Sequence, residues 1–179
     1  MQPEFQKFPK MARLSRECII TEKIDGTNAQ IYIEDDGETM HVGSRTRWLQ
    51  LGKQTDNFGF AAWCEENKRY LLGLGPGRHY GEWWGKGIQR GYGLDHKRFS
   101  LFNVARWGAE RPLCCGVVPI LYQGEFDTDR VKECMTLLAV NGSAAAPGFM
   151  DPEGLVVFHV AAGFGFKKTL ENDEKGKPE

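Results

Sequence analysis

The sequence predicts a single α+β domain, and three observations carry that expectation. A chain of 179 residues is long enough for one sizeable core and too short for two ordinary domains. Its apolar residues fall mostly in short runs bounded by glycine, proline or acidic turns, the pattern of β-strands, and 22 glycines supply many such turns. Two longer stretches, 57–72 and 127–140, instead repeat apolar residues at helical spacing.

Hydrophobic residues make up 41% and charged residues 26%, ordinary globular values. No run of about 18 apolar residues occurs, and residues 1–17 lack the apolar core of a signal peptide, so a cytoplasmic protein that spans no membrane is expected. Cys18, Cys64, Cys114, Cys115 and Cys134 show no C-x-x-C spacing and are expected to be reduced and mostly buried. A formal net charge of −1 excludes a protein that coats nucleic acid through bulk positive charge; a nucleic-acid footprint has to be local.

Taken in order, residues 1–17 read as an extended lead-in with one short turn packed on the sheet. Residues 21–28, TEKIDGTN, follow one strand-like run (18–20) and precede another (29–33), so Lys23 projects from a sheet. Gly26 allows a close backbone turn, and Asp25, Thr27 and Asn28 offer hydrogen bonds to a sugar or phosphate. A free lysine, with a pKa of about 10.4, is protonated at neutral pH and cannot attack. Burial, nearby cations or a metal ion on the substrate's phosphates would favour the neutral amine. By itself K-x-D-G more often marks a surface lysine before a turn.

Residues 31–42 read as strand, tight turn, strand, ending in Gly43-Ser44-Arg45-Thr46-Arg47. Arg45 and Arg47 would then share one side of an extended segment, a pair suited to phosphate or a 3′-hydroxyl end. Residues 57–72 form one amphipathic helix, and residues 78–85 a strand with Glu82 near its end. A carboxylate beside two tryptophans is either a paired structural charge or a working group. Lys86, Gln89, Arg90 and Tyr92, interleaved with glycines, make the most nucleic-acid-like stretch, phosphate donors with a stacking ring.

Residues 97–104 read as a strand covered on both faces, and 113–122 as one continuous buried strand with Pro119 near its end. Residues 127–140 form a helix capped by Asp127 or Thr128, and 141–148 a loop. Glu153 then precedes a glycine and four apolar residues, Lys167 and Lys168 close the last strand, and the charged end carries nothing to bury.

KIDG, GSR (43–45), GEWWG (81–85), FNV (102–104), EGLVVF (153–158) and FKKT (166–169) occur in one order. That series resembles motifs I, Ia, III, IIIa, IV and V of the covalent nucleotidyltransferases, the ATP-dependent DNA and RNA ligases and messenger-RNA capping enzymes. The EKIDGTN form most resembles the RNA ligases of the phage type-2 class.

The resemblance implies a ligase adenylation domain over residues 1–170, α+β with antiparallel sheets and flanking helices. No appended oligonucleotide-binding-fold domain is expected, and residues 171–179, polar and charged, are expected to form a disordered tail. Lys23 would be the nucleophile, assisted by Lys167 and Lys168; adjacent residues face opposite sides of a strand, so one of the two would hold the α-phosphate, with Lys167 preferred. ATP would be bound by Glu22, Ile24, Asn28, Arg45, Glu82, Phe102, Glu153, Lys167 and Lys168. Phe102 would stack on the purine, and Asn103 departs from the usual aspartate. Glu82 and Glu153 would hold Mg²⁺ or Mn²⁺, and Arg45, Arg47, Lys86 and Arg90 would contact RNA.

The implied activity is ATP-dependent joining of 5′-phosphate and 3′-hydroxyl ends through a lysine–AMP intermediate, on nicked duplex RNA or RNA ends, by a monomer or with a separate partner supplying a second domain. A compact DNA ligase acting on DNA and a non-sealing end-binding module stand as alternatives.

Overall fold

The computed structural model describes residues 2–174. Among these residues nine strands form two sheets. The first has the order β7-β1-β8-β9 and is antiparallel throughout, built from β1 (Glu17–Lys23), β7 (Ile120–Glu125), β8 (Gly154–His159) and β9 (Phe164–Thr169). Helix α3 (Thr128–Asn141) covers one face, burying Cys134 and Leu138 against Cys18, Ile20, Leu155 and Val157. Asp127 caps it by accepting from the Asp129 N–H at 2.8 Å.

The second sheet has the order β3-β2-β4-β5-β6, from β2 (Thr27–Ile33), β3 (Met40–Ser44), β4 (Gly77–Gly85), β5 (Lys97–Leu101) and β6 (Cys115–Val117), with β6 parallel to β5. Alternation along these strands sends Ile31, Ile33, Val42, Trp83, Phe99 and Leu101 to one face. There they pack on Phe60, Ala61 and Cys64 of α1 (Phe60–Glu66) and on Leu71 of α2 (Lys68–Leu71). The opposite face carries Asn28, Gln30 and Tyr32 beside their cross-strand partners Glu82, Tyr80 and Arg78. All five cysteines are free thiols. No helix among the described residues is long and apolar enough to cross a membrane.

Three local expectations change. The helix expected over 57–72 starts only at Phe60, because Asn57, Phe58 and Gly59 have φ of 49°, 56° and 84°. It breaks at Asn67, whose side-chain amide donates back to the Trp63 carbonyl. The apolar run 113–122 is two strands in different sheets, β6 and β7, and neither Leu113 nor Ile120 is buried. Pro119, with no N–H to give a ladder, stands between them. The strand expected over 97–104 ends at Leu101, leaving Phe102 just beyond it.

The lead-in is tied down only near its end, where the Leu14 carbonyl accepts from His159 Nε2 and the Arg16 carbonyl from the Phe126 N–H. Phe5, Phe8 and Met11 are exposed rather than packed. Residues 171–174 turn back on β9, with Asp173 accepting from the Thr169 N–H at 2.9 Å. The rest of the expected tail, 175–179, lies outside the described residues.

Candidate active site

A cleft of about 1160 Å³ lies between the two sheets, lined by β1, β8 and β9 on one side and by β2, β4 and residues 102–107 on the other. Lys23, the last residue of β1, is paired in register with Gly154, the first of β8, so Glu153 arrives beside it. Lys23 Nζ donates to Glu153 Oε2 at 2.5 Å. The Glu153 side chain is 8% exposed and that of Lys23 23%. Gly154 cannot be larger: a Cβ there would collide with the Lys168 carbonyl oxygen.

The turn after Lys23 is pressed on β4, where a Cβ at Gly26 would meet the Trp83 carbonyl oxygen at 2.5 Å. This closeness lets the Gly26 N–H donate to Glu82 Oε1 at 3.1 Å, while Asn28 Nδ2 donates to Glu82 Oε2 at 3.0 Å. Burial raises the Glu82 carboxyl to a pKa of about 7; the Lys23 cation and the two hydrogen bonds oppose that rise and Glu153 adds to it. The cleft therefore holds a second carboxyl that is partly protonated at neutral pH.

Each residue singled out from the sequence has a definite location. Lys167 lines the cleft, whereas Lys168 faces the opposite side of β9 and pairs with Asp173 at 2.8 Å, as alternation along a strand requires. Phe102, 41% exposed, lines the cleft, as do Ile24 and Asn28. Glu22 also borders it, but its carboxylate is buried and accepts from Ser143 Oγ at 2.6 Å and from the Ala144 and Ala145 N–H groups at 2.8 Å. Glu22 thus fastens loop 143–145 under the Lys23 strand.

The four basic residues expected to meet RNA do not act together. Arg45 lines the cleft, but the chain turns at Ser44, whose N–H donates to the Arg47 carbonyl, and Arg47 is carried away to Asp56 at 3.4 Å. Lys86 sits in the turn after β4, outside the cleft-lining set. Arg90 is a strut: Nε bonds Asp25 Oδ2 at 3.1 Å, and Nη1 bonds Asp151 Oδ1 at 2.7 Å and the Asp151 carbonyl at 3.1 Å. Tyr92, read as a stacking ring, is buried against Trp84 and Phe149, and its hydroxyl accepts from the Asp25 N–H at 2.7 Å.

Sequence reasoning missed Arg78, Tyr80, Arg106 and Phe158 in the cleft wall. For two of them a signal existed: Tyr80 and Arg78 stand two and four residues before Glu82 and therefore share its strand face.

The residues present suit a divalent cation. Glu153 has one oxygen free of the lysine contact, and Glu82 is held up in pKa partly by Glu153, a like charge that a cation relieves. Two carboxylates with water and phosphate oxygens make up a magnesium-type shell. No group of three or more His, Cys, Asp or Glu side chains among the described residues forms a cage of its own.

A family model described as RNA ligase matches residues 16–170. No curated protein matches the chain. Among solved structures the fold is similar to a Naegleria gruberi RNA ligase with PPi, at a TM-score of 0.64 and 23% identity over 87% of this chain and 50% of that one. Mutants of the same organism's RNA ligase with AMP and Mn (TM-score 0.60, 22% identity, 87% and 50% of the two chains) and with ATP and Mn (0.61, 21%, 86% and 48%) are also similar. The chain spans about half the length of these structures.

Proposed function

Because the chain belongs to the RNA ligase family, whose model matches residues 16–170, we propose that it is an ATP-dependent RNA ligase working through a lysine–AMP intermediate on Lys23. The observation that carries this reading is the 2.5 Å contact of Lys23 Nζ with a buried carboxylate, in a cleft shared with Glu82 and Lys167.

Lys23 must lose a proton before it attacks, and Glu153 Oε2 is in direct contact to receive it. The amine nitrogen then bonds the α-phosphorus of ATP while the bond from that phosphorus to the pyrophosphate oxygen breaks. Lys167 offsets charge on the phosphates, and Phe102 with Ile24 supplies apolar surface for the base. A divalent cation held by Glu153 and Glu82 would neutralise the triphosphate, and its positive charge beside the amine would favour the uncharged form.

In the second step the AMP passes to a 5′-phosphate end, and in the third a 3′-hydroxyl displaces it, both at the phosphate-binding side of the cleft near Arg45. RNA as the strand, ATP as the nucleotide, Mg²⁺ or Mn²⁺ as the cation and a cytoplasmic location belong to the same reading. The strand, nucleotide and cation of that reading are supported by the family match and by Naegleria RNA ligase structures described with ATP, AMP and Mn. The test is intact-protein mass after incubation with ATP and Mg²⁺. A gain of one adenylate is expected, and no gain would overturn the proposal.

A further inference from the structure

The second sheet continues past the cleft as an exposed face. Along β4 the residues after Glu82 on that face are Tyr80 and then Arg78, each step about 7 Å, paired across to Asn28, Gln30 and Tyr32 of β2. Beyond Tyr32 come His41 of β3 and Trp48, which is bridged to Gly43. The rings form one cluster: Tyr32 to His41 6.0 Å, His41 to Trp48 5.7 Å and Tyr32 to Trp48 6.4 Å between centroids.

The Arg78 guanidinium lies 4.7 Å from the Tyr32 ring and 5.3 Å from Trp48, and it donates to Gln30 Oε1 at 3.1 Å. Trp48 and Tyr80 are 50% and 53% exposed, while Tyr32 is half-buried beneath the Arg78 guanidinium. Arg78 and Tyr80 also line the cleft, together with Glu82, Glu153, Lys167 and Arg45, so the ring cluster adjoins the cleft wall.

We propose that this face, Tyr80, Arg78, Tyr32, His41 and Trp48, is a binding track for unpaired RNA leading to the reacting end in the cleft. The inference rests on the ligase reading for the identity of the strand. Exposed rings offer stacking to any base, and a guanidinium pinned by two rings and an amide offers a phosphate contact with little ordering left to lose. Spaced aromatic and cationic groups on an open sheet suit an extended strand of unpaired nucleotides. A paired helix keeps its bases stacked on one another and has none to offer such rings.

The experiment measures affinity for a short single-stranded RNA carrying a fluorescent label, by anisotropy, with a blunt RNA duplex in parallel. Trp48→Ala and Tyr32→Ala are expected to weaken single-strand binding at least about ten-fold, with Trp48→Phe restoring most of it and the duplex unaffected. Arg78→Ala is expected to reduce the slope of log affinity against log salt by about 0.7, the signature of one lost phosphate contact on a single strand. Formation of the lysine–AMP adduct by Trp48→Ala, followed alongside, should match the parent protein, which also reports an intact fold. Unchanged single-strand affinity in a folded Trp48→Ala, or equal loss on the duplex, would overturn the track and leave the rings to a protein partner. Failure of the parent protein to form the adduct would strike the ligase reading instead.

Discussion

Glu153 accepts from Lys23 at 2.5 Å across 130 residues of sequence, joining the last residue of one strand to the residue before its neighbour begins. Glu153→Gln keeps an oxygen for the amine and removes the charge that draws off its proton. Adduct formation should fall at least about 100-fold in a folded protein, measured as single-turnover incorporation of label from ATP. An unchanged rate would take Glu153 out of the proton transfer.

Glu82 gives the protein a distinctive pH dependence. Its folded pKa of about 7 stands above the ordinary 4.5, so between those values the folded chain holds a proton that the unfolded chain has released. The stability it contributes is fully present below pH 4.5 and is lost as pH rises to 7 and beyond. Urea unfolding at pH 4.5 and pH 8 should show the parent losing a few kcal/mol more than Glu82→Gln over that interval. Parallel losses in the two proteins would contradict the assignment.

Arg90 ties the turn after Lys23 to the segment that delivers Glu153, through Asp25 on one side and Asp151 on the other. Arg90→Ala should cost about 1–3 kcal/mol of stability in urea unfolding. Lysine should not rescue it, because a single ammonium cannot span the two carboxylates from one planar fork. Affinity for RNA should change far less than in Arg45→Ala, the basic residue that does line the cleft.

The adjacent lysines of β9 separate by face. Lys167→Ala should slow adduct formation by about 100-fold, as loss of a charge aimed at the reacting phosphate does. Lys168→Ala removes an exposed pair with Asp173 and should cost less than about 1 kcal/mol, with adduct formation unchanged. The same labelling assay on both proteins decides it.

Where local pattern governs, the sequence was readable. β1 follows from the unbroken apolar run 18–20 and β2 from the alternation of Ala29, Ile31 and Ile33, on either side of Gly26, and the two-residue period of β9 separates Lys167 from Lys168. Contacts between distant segments were not readable from spacing. Arg90 looked like an RNA contact because its partners lie 65 and 61 residues away, and nothing local marks it as bound. Arg47 was lost to the Ser44 turn, and residues 113–122 misled because an apolar run is the same string whether it stays in one sheet or crosses to another at Pro119. The pairing of Glu153 with Lys23 was legible only through the family resemblance of the two segments, since strand register is set by the fold.

The central claim is that Lys23 is the atom's-length destination of the adenylate. The direct measurement is peptide mass spectrometry after incubation with ATP labelled at its α-phosphate and Mg²⁺. The expected result is one acid-labile adenylate on the peptide containing Lys23, abolished in Lys23→Ala. Label on another lysine, or an undiminished adduct in Lys23→Ala, would contradict it.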